Sequence, residues 1–230
     1  MQLLIAVALA VVLLMLRLLR PAQAAKTTIS DKIGTVRAVC KSSEHSFSKE
    51  LTKSIMLIEG LGVEGDCHKG KTVQHRSRLH IRPPPQNLRQ VHLMHSELFA
   101  DLAEHSKNGK RFSVRAGDLG ENITTEGVDL LRLSEGTKLH FLNPADKRVD
   151  GDMFNHRHPV VRVTGLRNPC PQIQKFQDGL QEMCVVRDAD RNIVQRKAGI
   201  MSVVERGGEV HEGARIIVEE PELYVPLGCV

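Results

Sequence analysis

Apolar and polar residues alternate over several short stretches of this chain, and a period of two predicts half-buried strands. Ile33 to Val39 reads as a first strand with its Ile and Val side chains inward, and Ile55 to Ile58 as a second, with a polar loop from Ser42 to Ser54 between them. Asn87 to Met94 reads as a strand with Val91 and Leu93 on one face, and Thr137 to Leu142 as another. Val161, Arg162, Val163 and Thr164 alternate cleanly up to Gly165, where a strand would stop or bulge. Leu180 to Val186 reads as a strand that turns through Asp188-Ala189-Asp190-Arg191-Asn192 into Ile193-Val194-Gln195. A strand over Ile200 to Val204, a tight turn at Gly207-Gly208 and a strand over Ala214 to Val218 close the series.

Helical spacing is clear once. Ser96 is placed to cap a helix through about His105, with Leu98, Phe99, Leu102 and Ala103 on its core face. Ile173 and Phe176 predict a short helical turn after Cys170. Many short strands, glycine turns and one clear helix predict a mainly β, barrel-like domain.

The amino terminus departs from this pattern. Leu3 to Leu16 is unbroken apolar sequence, and Arg17, Arg20 and Lys26 follow it with no Lys or Arg before it. Its length suits either a short anchor or a secretory core, and Ala22-Gln23-Ala24 resembles a cleavage site. Charge placement favours a membrane signal anchor over residues 1–25 with the following domain on the cytosolic side, the alternative being export after cleavage. The organisation expected is this segment, one domain over residues 26–221 and a tail over residues 222–230.

Composition narrows the function. Five cysteines form no Cys-x-x-Cys pair, which argues against a disulfide framework. The chain has a net charge of +5 but no Trp, one Tyr and 3% aromatic residues, so the stacking platforms of a single-strand nucleic-acid binder are missing. The charge is focused: between Cys67 and Arg89 stand Lys69, Lys71, Arg76, Arg78, Arg82 and Arg89 with three His and no acid. Such a loop suits a small polyanionic ligand, Lys69, Lys71, Arg76 and Arg78 supplying phosphate contacts. Before it, Gly60, Gly62 and Gly65 match Gly-x-Gly-x-x-Gly, yet no helix pattern follows, so a dinucleotide fingerprint is not read there. Cys67-His68 with His75 and His80 has spacings unlike a closed zinc site. Cys170 stands between Pro169 and Pro171, whose rings hold the backbone stiff, with Arg167 three residues before it. A guanidinium beside a sulfur favours the anion that binds soft metals; the alternative is a small buried hydrophobe in a proline turn.

Five separated blocks then agree in order and spacing: Gly65-Asp66, Arg89-Gln90-Val91, Gly117-Asp118-Leu119-Gly120-Glu121-Asn122, Leu166-Arg167-Asn168-Pro169-Cys170 and Lys197-Ala198-Gly199-Ile200-Met201. Together, from about Ile33 to Val218, they resemble a MOSC domain, the module named after the carboxy-terminal part of molybdenum cofactor sulfurase, in its compact single-domain form. The resemblance implies a β-barrel with a few peripheral helices and a molybdenum cofactor, a pterin dithiolene holding the metal and ending in a phosphate. It implies Cys170 as the protein ligand to the metal, with Arg167 and Asn168 beside it at the reacting centre. Lys69, Arg76 and Arg89 would neutralise the phosphate, and Asp66, His68, Asp118, Glu121, Asn122 and Thr124 would hold the pterin or shape the mouth.

Relatives within the family reduce N-hydroxylated compounds, so the resemblance implies such a reductase, fed by separate electron-donor proteins carrying flavin and haem or iron-sulfur groups, for neither of which this chain has a visible site. The amidoxime reductases carry an amino-terminal extension absent here. The alternative is a carrier of the cofactor, or of sulfur as a persulfide on Cys170. The family has also been linked to pyridoxal phosphate, but no lysine stands out as a Schiff-base candidate.

Overall fold

The computed structural model describes residues 28–75, 78–104, 110–144 and 158–230. The amino-terminal apolar segment and Arg76 lie outside them. Thirteen strands are found among the described residues: β1 (Thr28–Lys41), β2 (Glu50–Thr52), β3 (Ser54–Ile58), β4 (Gly62–Val63), β5 (Val91–His95), β6 (Ile123–Glu126), β7 (Lys138–Leu142), β8 (Val160–Leu166), β9 (Val185–Arg187), β10 (Ile193–Arg196), β11 (Ile200–Arg206), β12 (Gly208–His211) and β13 (Arg215–Glu220). Three α-helices join them, α1 (Glu97–Glu104), α2 (Pro171–Phe176) and α3 (Leu180–Met183).

Seven strands run β13-β7-β8-β11-β5-β6-β1 and close into a barrel where β1 pairs β13, so the barrel has no free edge. Only β5 and β6 among these pair in parallel. The alternating residues fill the interior: Val91 and Leu93 of β5, Val161 and Val163 of β8, Ile200 and Val204 of β11 belong to one buried cluster. The side sheet β12-β3-β4 adds Ile55, Leu57, Val63 and Val210 to it. A second apolar cluster lies outside the barrel, where Met94 packs with Leu98 and Leu102 of α1, Ile173 of α2, Leu180 of α3, Phe112 and Leu119. Opposite faces of β5 thus serve two cores, as a period of two requires.

The architecture is the expected one, and several local readings need correction. Ser42 to Ser54 is not all loop, since it contains β2 on the far end of β1. Ile33 points outward and is 52% exposed, because its register against β13 puts its neighbour Gly34 on the packed side, where a Cβ would overlap Val128. Ala103 is exposed while Leu98 and Leu102 carry the buried face of α1. Leu180 to Met183 is helix rather than strand: Leu180 and Cys184 stand one turn apart and both enter the second cluster. Gly207-Gly208 leads into β12, so a strand stands between β11 and β13. The predicted bulge is present, the β8–β11 register slipping between Gly165 and Val163.

Candidate functional site

The end of β8 delivers the site. A cavity of about 560 Å³ opens on the outer wall of the barrel, within the range of small-molecule sites. Arg167, Asn168 and Cys170 line one side. His45, Phe47 and Lys49 of the β1–β2 connection line another, and His68, His75, Arg78, Asn87 and Arg89 of the basic loop a third. His92 of β5 and Met201 of β11 form the floor, on the strand faces that point away from the barrel interior.

Local structure explains how Cys170 is presented. Its backbone is extended and Pro171 occupies the first helical position of α2, where a missing N–H costs nothing. Pro169 is pinned through its carbonyl, which accepts from Gln181 Nε2 at 3.1 Å. The half-buried thiol packs one flank against the second apolar cluster and turns the other to the cavity. Arg167 Nη2 lies 3.9 Å from its sulfur. Two other thiols are of a different kind, since burial pushes Cys40 up to about 12 and Cys184 to about 11, which leaves both inert. Asn168 is exposed, and its side-chain oxygen accepts from Arg196 Nε at 3.1 Å.

The cavity is strongly cationic. Burial first, then the neighbouring Arg78, lowers Arg89 to about 10, and burial lowers Arg167 too, yet both guanidiniums stay charged at neutral pH. Arg89 Nε and Arg167 Nη1 are buried without a hydrogen-bond partner. Burial and the nearby Arg89, His68 and Arg78 depress His75, which is neutral as a result. His92 is depressed well below its usual value by burial, its Nε2 donating to the Ala198 carbonyl at 2.9 Å. Two orphaned guanidinium nitrogens in one pocket are a demand for an anion.

Behind this wall sits a buried polar knot. Asp66 receives Lys49 Nζ at 2.7 Å and Asn122 Nδ2 at 3.0 Å on one oxygen, and the His68 N–H at 3.0 Å on the other. Burial alone would raise its pKa, but the His68 hydrogen bond and the Lys49 charge hold it well below the carboxylate range. Asn122 also receives the His92 N–H, 3.2 Å away, and lines the cavity. Of the residues expected at the site, Cys170, Arg167, Asn168, His68, Arg89 and Asn122 therefore share one cavity, with Asp66 supporting it from behind.

Besides Asp66, five expected residues do not line it. Lys69 and Lys71 are exposed on the loop and reach no wall of the cavity. Asp118 caps its own turn, accepting the Arg115 N–H at 2.9 Å. Glu121 is fully buried and accepts the Gly117 N–H at 2.7 Å and the Thr124 hydroxyl at 3.1 Å, so these two bind each other. Burial raises the Glu121 pKa. The Gly117–Asn122 block is a scaffold for Asn122 and continues directly into β6. Sequence reasoning missed Lys49, His45 and Phe47, hidden in a stretch that looked merely polar, and His92, whose signal was its place opposite Val91 and Leu93 on β5.

A closed seven-stranded barrel that carries a lateral cationic cavity of small-molecule size, with a thiol at its rim, defines the class of protein as a compact β-barrel domain. Residues 68–217 match the model of the MOSC domain, which is more than half of the chain, and the chain belongs to that family. The YuaD protein of Bacillus subtilis is similar in structure, at 22% identity and a TM-score of 0.62 over 85% of this chain and 99% of that one. YiiM from Geobacillus stearothermophilus is similar at 15% identity and a TM-score of 0.51, over 84% and 80%. At these identities the likeness concerns the fold. No curated protein matches the chain. Among the described residues no helix is long and apolar enough to cross a membrane.

Proposed function

We propose that this MOSC domain holds a molybdenum cofactor in the cationic cavity and reduces N-hydroxylated compounds there. The observation that supports this reading is the pairing, in one cavity, of the accessible Cys170 thiol with the unpartnered nitrogens of Arg89 and Arg167. These residues fit the group: a thiolate suits a metal already bound by sulfur, and buried guanidinium nitrogens suit a phosphate. When bound, the cofactor supplies a two-electron centre for removing oxygen from nitrogen. The chain's own residues do the rest. Cys170 anchors the metal, Arg167 steadies the sulfur's negative charge, and Arg89 with Arg78 takes the phosphate. Reducing equivalents come from separate donor proteins, and the amino-terminal apolar segment anchors the domain on the cytosolic face of a membrane.

The test is molybdenum content after expression in a host that makes the cofactor. Wild-type protein is expected to retain molybdenum, Cys170→Ala to lose it, and Arg89→Ala to retain it roughly tenfold less tightly. Reduction of benzamidoxime with an artificial donor then separates a reductase from a carrier, which would hold the metal without turnover. Molybdenum unchanged in Cys170→Ala would refute the ligand assignment.

A further inference from the structure

A second group of metal-ligand side chains stands beside the cavity, and its capacity to hold an ion of its own is used by nothing above. Asp66, Cys67 and His68 follow one another on the turn after β4, and among the described residues they alone bring three His, Cys, Asp or Glu ligand atoms within 4.8 Å of one another. His68 Nδ1 is 3.2 Å from Cys67 Sγ and 3.2 Å from Asp66 Oδ1, and the sulfur is 4.0 Å from that oxygen. A triangle with these edges has a point about 2 Å from all three atoms, close to the bond lengths zinc makes to nitrogen, oxygen and sulfur.

We propose that Asp66, Cys67 and His68 form a site for a thiophilic divalent cation of the zinc type, separate from Cys170. The S, N, O donor set selects zinc-like ions over magnesium or calcium. The ion would displace the Cys67 thiol proton to solvent, as metals do when thiol ligands deprotonate. Oδ1 of Asp66 accepts the His68 backbone N–H and has a second lone pair for the ion, while Oδ2 is held by Lys49 and Asn122. These two contacts are the outer partners that fix a ligating carboxylate. Lys49 opposes the incoming charge at closest range, and Arg78, Arg89 and Arg167 oppose it from across the cavity. The Asp66 carboxylate screens the first, and the Cys67 thiolate supplies the remaining countercharge. Three protein ligands leave a fourth, tetrahedral position for water or a bound molecule. His68 lines the cavity, so an ion here would add positive charge to the wall that faces an anionic ligand. The spacing of Cys67 and His68 to His75 and His80 concealed the site because its third ligand, Asp66, is adjacent in sequence.

The full chain, stripped with a chelator, is titrated with cobalt(II) as a spectroscopic stand-in and then with zinc. One saturable equivalent with a thiolate-to-cobalt charge-transfer band and intense tetrahedral d–d bands, bleached by zinc, is expected. Cys67→Ser should abolish the charge-transfer band and His68→Gln should weaken binding at least about tenfold, while Cys170→Ala leaves both unchanged. Thermal melts establish that each variant is folded, with Cys67→Ala replacing the serine variant if it is not. Absence of saturable binding, or a band that survives loss of Cys67 and disappears with Cys170, would overturn the proposal. Molybdenum content of the Cys67 variant is measured in parallel, since loss of the cobalt band with molybdenum retained separates this site from the one at Cys170.

Discussion

Lys49 and Asp66 are the residues on which the cavity wall depends. Their side chains are 4% and 1% exposed and 2.7 Å apart, so the pair is a desolvated one rather than a surface contact. Removing one partner of such a pair strands the other charge in a medium that cannot solvate it. Lys49→Met is expected to lower unfolding free energy by about 3–5 kcal/mol in urea titration. A loss below about 1 kcal/mol, the size expected of an exposed pair, would show that the knot is hydrated and does not support the wall. The sequence displayed Asp66 beside a glycine and so marked it for attention. Lys49 carried no such mark, because only the approach of the β1–β2 connection to Gly117, through the Lys49 N–H to Gly117 carbonyl bond of 2.8 Å, brings it there.

At the level of elements, the strand that begins after Gly199 shows how a short block can be read and still not be understood. Gly199 has φ +82, and a Cβ there would stand 2.2 Å from the Leu93 carbonyl and 3.1 Å from His92 Nε2. The Ala198 carbonyl holds His92, and the Gly199 carbonyl receives the Arg167 N–H at 3.0 Å. The turn into β11 therefore sets both the floor of the cavity and the guanidinium beside Cys170. Gly199→Ala is expected to cost at least about 2 kcal/mol, from the left-handed backbone and the forced retreat of β5. Urea unfolding checks it, and an alanine variant of wild-type stability would mean the turn can relax without moving β5. Period-two patterning revealed the barrel strands because their two faces meet different media. It failed for β6, where Thr124 and Thr125 are buried but satisfied by Glu121 and the Met94 carbonyl, so a core strand reads as polar. It failed for α3 because the run from Leu180 to Val186 joins a helical turn to a strand with no polar break between them.

For the whole molecule, the buried histidines set the response to acid. Burial lowers the pKa of His92 well below its ordinary value, and chiefly lowers those of His75, His95 and His140 as well. His140 is further committed at the opposite end of β8, with Nε2 2.7 Å from Glu219 and Nδ1 2.9 Å from His158. In the unfolded chain an imidazole takes up a proton near pH 6.5. Below that pH the unfolded state binds more protons than the native state, so this contribution is complete above about pH 6.5 and is lost as pH falls toward the lowered native values. Asp66 has the same sign but acts only below about pH 4, where an unfolded aspartate protonates. Glu121 has the opposite sign, since its raised pKa makes the native state the better proton acceptor. One carboxyl against four imidazoles leaves a net loss. The unfolding free energy should therefore decline between pH 7 and pH 5, by up to about 1.4 kcal/mol per pH unit for each imidazole that stays neutral, and the melting temperature with it. In His92→Gln, which can still donate to the Ala198 carbonyl, the decline should be shallower than in the wild type. Calorimetry of both proteins at pH 7, 6 and 5 measures the difference, and parallel declines would show that His92 takes up its proton in the native state as readily as in the unfolded chain.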